Sequence, residues 1–209
     1  MERKTQKEPV PYLGGVSIGL TVCLVAYASI IYSDNTKTTF SLVTYLLLPA
    51  VFMGAMGLVD DLRGLQPMPR LIFQTIVAVI VSIVLIQTKT IGTPLDNTFL
   101  VQIIVVLWIV GLCNSINFFD NLDGGASGTV AVISVFLFAI AFDLGQSLVS
   151  ALAIVTAGAT LGFLIWNKTP AKIYMGDAGA LFLGIIIAVL TIRLDPEVGP
   201  QSRALATPL

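Results

Sequence analysis

Hydrophobic residues along the chain are grouped into seven long uncharged runs, which are separated by short polar stretches. The runs cover residues 9–33, 38–59, 71–88, 97–119, 124–142, 144–167 and 178–192. A helix that crosses the hydrocarbon core of a bilayer, about 30 Å thick, needs about 20 such residues. The runs lack the alternation of polar and apolar positions that membrane barrel strands require. The pattern therefore predicts an all-α, polytopic membrane helix bundle.

Seven transmembrane helices are expected within a single transmembrane domain that extends over residues 1–209. Their predicted boundaries are 13–32, 41–59, 71–87, 99–113, 125–142, 147–166 and 178–194. The composition agrees, because 56% of the residues are hydrophobic and only 11% are charged, whereas soluble domains carry roughly 25% charged residues. These proportions exclude a water-soluble globular protein of this length.

The distribution of Lys and Arg predicts which side of the membrane each connection faces. Seven basic residues fall in the N-terminal tail and in two connections on the same side: Arg3, Lys4, Lys7, Arg63, Arg70, Lys168 and Lys172. Four fall on the opposite side: Lys37, Lys89, Arg193 and Arg203. Because cytoplasmic loops are enriched in basic residues, this bias predicts a cytoplasmic N-terminus. The net charge of −1 and the lack of a basic block give no indication of nucleic acid as a partner, and we expect none.

Three connections on the predicted cytoplasmic side, residues 60–70, 114–124 and 167–177, contain the unusual polar residues. Asp60 and Asp61 close the second run, where the helix dipole is unfavourable for carboxylates, and this favours a compensating cation. Asp177 lies beside Gly176 at the start of the last run, where open backbone amides can bind a phosphate. The simpler alternatives are that the first two are solvated loop acids and that Asp177 is an ordinary helix N-cap.

The connection at 114–124 carries a polar stripe within an apolar segment. Its members recur every three residues, and they are Asn114, Asn117, Asp120 and Asp123. This spacing keeps polar side chains near one side of a helix, although a hydrated helix end followed by a glycine turn is the alternative. With Asp60, Asp61 and Asp177, five carboxylates are thus expected to face one cytoplasmic cleft.

The chemistry of these side chains favours a hard divalent cation. The chain has no His, and its two cysteines, Cys23 and Cys113, lie inside apolar runs, so zinc ligands are lacking. Oxygen ligands alone suit Mg²⁺ or Mn²⁺, and magnesium is usually held by one or two carboxylates together with substrate phosphates. The residues therefore indicate a membrane enzyme that acts on a diphosphate at the cytoplasmic interface.

Four segments, in order along the chain, resemble the motifs of the polyprenyl-phosphate N-acetylhexosamine-1-phosphate transferases, which form glycosyltransferase family 4. They are residues 9–15 (Pro-Val-Pro-Tyr-Leu-Gly-Gly), 57–74 with its acidic pair, 114–124 with its Asp-x-x-Asp-Gly ending, and 170–179 with Met-Gly-Asp-Ala-Gly. The form of the first segment is closer to the O-antigen and teichoic-acid branch than to the peptidoglycan branch.

The resemblance implies transfer of N-acetylhexosamine 1-phosphate, in the first place GlcNAc 1-phosphate, from a UDP-sugar to polyprenyl (undecaprenyl) phosphate. UMP is released, and the product initiates the lipid intermediates of a cell-envelope polysaccharide at the cytoplasmic face of the bacterial plasma membrane. It further implies that Asp177 and Asn117 bind Mg²⁺ and that Asp60 and Asp61 are the catalytic pair. Both a positioning role of this pair and a covalent aspartyl intermediate stay open. The implied substrate contacts are Asp120, Asp123, Asn114, Lys172, Arg70 and Gly176.

Three further points follow at the level of the whole chain. Family members usually have one helix before the first motif and further helices after the last, so we expect a fragment that is truncated at both ends. A catalytically incomplete fragment is therefore one alternative, and a homodimer is left open. A secondary transporter is less favoured, because transporter acids tend to lie near the bilayer midplane on broken helices, whereas these carboxylates lie at the ends of runs.

Overall fold

The computed structural model describes residues 10–32, 36–87 and 97–195 and shows seven α-helices. They are α1 (Gly14–Ser29, continued by a short 3₁₀ turn Ile30–Tyr32), α2 (Thr36–Arg63), α3 (Pro67–Gln87), α4 (Thr98–Phe119), α5 (Gly125–Asp143), α6 (Ser147–Asn167) and α7 (Gly176–Arg193). No strand occurs in these ranges. By length and composition, each helix can cross a membrane, α1 with its 3₁₀ turn included. The predicted all-α bundle of seven membrane helices is confirmed.

Two helices continue beyond their predicted ends at residues 59 and 113. Helix α2 includes Asp60 and Asp61 in its last turn, and α4 includes Asn114 and Asn117. A run of apolar residues ends at its first polar residue, but a helix does not have to, because its backbone hydrogen bonds are internal. These four side chains therefore project from regular helical turns rather than from loops.

Helix α7 is the central helix of the bundle. Within its apolar membrane-spanning stretch, 78% of the residues are buried, against 28–44% in the other six helices. It packs against α1, α2, α4, α5 and α6, while α5 also lies along α6 and α3 lies against α2 and α4. The N-terminus of α7, which carries Asp177, is consequently enclosed by the ends of neighbouring helices.

Glycine allows two helices to reach the backbone of α7. A Cβ atom on Gly57 of α2 would lie 2.3 Å from the carbonyl oxygen of Asp177. A Cβ atom on Gly15 of α1 would lie 2.1 Å from the backbone nitrogen of Gly179. Such close approach through small residues is typical of helix packing in membranes. It fixes the start of α7 against both neighbours.

We expect Gly57→Ala to destabilise the protein by about 1–3 kcal/mol, because the added methyl group meets backbone that cannot move aside. The measurement is the melting temperature of the detergent-purified chain. Gly111→Ala is the matched control, since Gly111 lies exposed on α4 and a Cβ atom there has no neighbour within 4 Å. Equal melting temperatures for the two variants would contradict the backbone contact between α2 and α7.

Candidate functional site

A polar cavity of about 530 Å³ lies at the end of the bundle where α2 and α4 end and α3 and α7 begin. Its lining contains five carboxylates, which are those of Asp60, Asp61, Asp120, Asp123 and Asp177. Two of them come from α2, two from the connection between α4 and α5, and one from α7. The fold thus brings together in one cleft the carboxylates that the sequence predicted to converge.

Arg70, in the first turn of α3, bridges the carboxylates of α2 and α7. Its Nη1 atom lies 2.9 Å from Oδ2 of Asp177 and 3.1 Å from Oδ2 of Asp60. Asp60 also accepts a 2.7 Å hydrogen bond from the backbone N–H of Leu65. The position of Asp60 at a helix C-terminus predicted a compensating cation. In this structure, that cation is the Arg70 guanidinium.

Asp61 caps the N-terminus of α7 from the neighbouring helix. Its Oδ1 atom accepts a 2.9 Å hydrogen bond from the N–H of Asp177, and its Oδ2 atom accepts a 3.0 Å bond from the N–H of Ala178. The first residues of a helix have no internal partner for their N–H groups, and α7 has no side-chain cap from its own preceding residue, Met175. A carboxylate at this position also interacts favourably with the helix dipole.

The side chain of Asp177 is therefore available to the cavity rather than used as an N-cap. Its Oδ2 atom accepts from Arg70, and its Oδ1 atom accepts a short hydrogen bond from Nδ2 of Asn117. Rotating the Asn117 amide by 180° would present its oxygen at the same point. Asp177 of α7 and Asn117 of α4 thus lie close enough together to offer one oxygen each to a cation.

Asp120 and Asp123 hold the connection between α6 and α7 in place. Oδ2 of Asp120 accepts from the N–H of Gly176 at 3.1 Å, and Oδ2 of Asp123 accepts from the N–H of Ala171 at 3.0 Å. Gly176 has φ +73°, and a Cβ atom there would lie 2.6 Å from Oδ2 of Asp61. Only glycine therefore fits between the two carboxylates at the start of α7.

Two residues that were expected to contact substrate lie outside the lining of this cavity. Nδ2 of Asn114 donates to Oε1 of Gln74 on α3 at 2.8 Å. Asn114 is three residues before Asn117, so it lies about one turn deeper on a similar face of α4, where Gln74 of α3 rather than the cavity is its partner. The ammonium group of Lys172 lies 5.5 Å from the centre of the Trp166 ring, on the side of α6.

Two tyrosines at the cavity were not predicted as site residues. The rings of Tyr12 and Tyr174 are 5.6 Å apart and inclined at 42°, and both residues line the cavity. A backbone hydrogen bond of 2.9 Å from the N–H of Tyr174 to the carbonyl of Pro11 joins their two segments. The available signal was an aromatic residue inside each of the two motif segments at 9–15 and 170–179.

The sequence model of glycosyl transferase family 4 matches residues 43–195, which include every carboxylate of the cavity. The chain belongs to this family. The resemblance that the four motif segments indicated is therefore confirmed. The matched region extends from α2 to the residues just after α7, so the family assignment covers the helices that build the cavity.

Two curated relatives give the family assignment more detail. The chain is 33% identical over 215 residues to a phospho-N-acetylmuramoyl-pentapeptide-transferase of Staphylococcus carnosus, with 92% of this chain and 65% of the relative covered. It is 32% identical over 196 residues to a probable undecaprenyl-phosphate N-acetylglucosaminyl 1-phosphate transferase of Bacillus subtilis, with 91% and 53% covered. The chain thus spans between about half and two thirds of the length of these relatives. Together with the seven apolar helices, they support a multi-pass bacterial membrane protein.

Proposed function

We propose that this chain forms the membrane-embedded part of a transferase that moves N-acetylhexosamine 1-phosphate from a UDP-sugar to polyprenyl phosphate and releases UMP. The observation that carries the proposal is the cavity itself, in which Arg70 bridges Asp60 and Asp177 at the end of a membrane bundle. The ends of membrane-spanning helices lie near the lipid headgroups, so a cavity at the helix ends can receive both a membrane-bound acceptor and a water-soluble donor.

The charge of the cavity supports a divalent cation as cofactor. Among the described residues that line it, five are acidic and only Arg70 is basic. Such a lining repels a diphosphate unless cations bind with it. Magnesium is usually held by one or two carboxylates together with substrate phosphates. The residues fit Mg²⁺, or Mn²⁺, with Asp177 and Asn117 as protein ligands.

The reaction we propose is a displacement at the sugar-bound phosphorus of the donor. An oxygen of the polyprenyl phosphate forms a new bond to this phosphorus, and the bond to the UMP oxygen breaks. A bound metal ion would neutralise charge on the phosphate oxygens. Arg70 donates hydrogen bonds to the reacting phosphates, while Asp60 fixes the position of the guanidinium. Asp61 holds the start of α7, and with it Asp177.

A general base contributes little to this reaction. The second pKa of a phosphate monoester is about 6, so the acceptor is mostly ionised at pH 7. Both oxygens of Asp61 accept backbone hydrogen bonds, and both oxygens of Asp60 are also hydrogen-bonded. We therefore propose direct transfer rather than a covalent aspartyl intermediate, because hydrogen bonds to each carboxylate oxygen make these side chains weaker nucleophiles and give them positioning roles.

The donor sugar we propose is GlcNAc, and the product would initiate a cell-envelope polysaccharide. The two relatives name different sugars at nearly equal identity, so this choice rests on the form of residues 9–15. The test is radiolabel transfer from UDP-GlcNAc, or from the N-acetylmuramoyl-pentapeptide donor, to undecaprenyl phosphate by the purified chain. Labelled lipid from the second donor alone would overturn the sugar assignment. No product from either donor, with folded protein, would favour the catalytically incomplete alternative.

We also propose that the cavity faces the cytoplasm. Lys168, after α6, lies at the cavity end of the bundle, and Gln146, before α6, lies at the opposite end. In a background without Cys23 and Cys113, a membrane-impermeant thiol reagent should label Gln146→Cys in intact cells. It should label Lys168→Cys only after the cells are permeabilised. The reverse labelling pattern would place the cavity on the outside.

A further inference from the structure

A second cavity, of about 480 Å³, lies between α1 and α6 and carries no part of the proposed reaction. Ile18 and Phe163 form part of its apolar wall, while Gly158 and Gly162 of α6 leave it open. A Cβ atom on either glycine would have no neighbour within 4 Å. The hydroxyl groups of Ser17 and Thr21, which also line the cavity, already donate hydrogen bonds to backbone carbonyls of α1. We call this cavity the α1–α6 groove; its shape and chemistry suit a hydrocarbon chain.

One end of the groove carries a positive charge, that of Lys172. Lys172 lines the groove beside Trp166, and its backbone N–H donates a 2.9 Å hydrogen bond to the carbonyl of Trp166. Tryptophan is typical of the boundary between hydrocarbon and headgroups. Lys172 is the one charged residue among the described residues of the lining. The groove is therefore complementary to an amphiphile with an apolar chain and an anionic head.

A wall of main chain separates this groove from the acidic cavity. Pro11 and Ile173 face the groove, whereas their neighbours Tyr12 and Tyr174 face the acidic cavity. The two segments are joined by backbone hydrogen bonds from Tyr174 to Pro11 and from Gly14 to Tyr174, of 2.9 and 3.1 Å. A phosphate beside Lys172 is thus on the other side of the wall from Arg70 and Asp177. An amphiphile in the groove is not placed for the transfer reaction.

We propose that the α1–α6 groove binds a membrane phospholipid with an anionic headgroup, distinct from the polyprenyl phosphate acceptor. One acyl chain lies along the glycine face of α6, and the headgroup phosphate pairs with Lys172. Basic pockets between helices on the cytoplasmic side are a recognised mode of anionic-lipid binding. The bound lipid would stabilise the two backbone segments that also place Tyr12 and Tyr174 at the acidic cavity.

Native mass spectrometry of the purified chain tests this site without relying on transferase activity. The chain is mixed with equal amounts of phosphatidylglycerol and phosphatidylcholine. We expect one retained lipid, with phosphatidylglycerol preferred about fivefold, since one lysine near a membrane surface contributes about that factor. Lys172→Gln should remove the preference, and Gly158→Leu or Gly162→Leu should reduce retention of both lipids by filling the groove.

Two matched variants separate the groove from general effects. Lys168→Gln removes a neighbouring exposed charge, and Gly111→Leu adds the same side chain to an open glycine on α4. Both should retain lipid as the unmodified chain does. Unchanged preference in Lys172→Gln, or equal loss in the matched variants, would overturn the proposal. Displacement of the lipid by equimolar polyprenyl phosphate would also overturn the proposal. The same holds if a glycine variant changes only the oligomeric state and not lipid retention.

Discussion

Asp177→Asn is expected to lower the transfer rate by about 10²–10³-fold while leaving the fold intact. A neutral amide is a poor replacement for a carboxylate as ligand of a hard cation, and loss of electrostatic stabilisation in a site of this kind costs about 10²–10³-fold. The Mg²⁺ dependence of any remaining activity should be weaker. The measurement is the rate of labelled lipid formation as a function of Mg²⁺ concentration.

Asp143→Asn is the matched control, because it makes the same chemical change on the exposed end of α5, opposite the cavity. It should retain full activity. Melting temperatures of both variants show whether a loss comes from unfolding. If the unmodified chain turned over at its normal rate in EDTA, the metal would be removed from the proposed mechanism.

Asp61→Asn is expected to lower the transfer rate by about 10²-fold, because the start of α7 would lose its cap and shift. The amide offers one acceptor oxygen where the carboxylate offered two, and its N–H₂ group would face a backbone N–H of Asp177 or Ala178. A lost hydrogen bond to a charged group costs about 1.5–3 kcal/mol. Because the start of α7 carries Asp177, the Mg²⁺ concentration for half-maximal rate should rise, and the melting temperature should fall.

The pH profile of Asp61→Asn distinguishes positioning from base catalysis. Loss of a general base typically costs 10²–10⁴-fold, and raising the pH from 6 to 8 would then partly rescue the variant, as more acceptor becomes dianionic. We expect a nearly flat defect over that range, because the phosphate ionises near pH 6 without help. A strong rescue, with folding and Mg²⁺ dependence unchanged, would identify Asp61 as the base.

The number of helices and the convergence of the acids could be predicted from the sequence, because the first depends on local composition and the second follows from the order of the spans. A run of about 20 uncharged residues predicts a span, and alternate connections between spans lie on the same side. Asp60, Asp120 and Asp177 therefore had to meet at one end of the bundle if all seven runs were helices. The helix ends were less predictable, since α2 and α4 continue through polar residues.

Side-chain partners depended on how the helices pack, which the sequence does not specify locally. The bonds from Asp61 to the amides of α7 require the close approach of α2 and α7 at Gly57. Lys172 lies only five residues before Asp177, yet it lines a different cavity, because the main chain between them forms the wall. The pairing of Asn114 with Gln74 likewise depends on the contact between α3 and α4.

The most direct test of the central claim is the position of Mn²⁺ in crystals of the chain grown with UDP-GlcNAc, found by its anomalous scattering. The account predicts one peak in the acidic cavity, within coordination distance of a carboxylate oxygen of Asp177 and of the side chain of Asn117, with the donor diphosphate beside it. The peak should be lost in Asp177→Asn. A peak that is away from Asp177, or that persists unchanged in this variant, would contradict the proposed reaction centre.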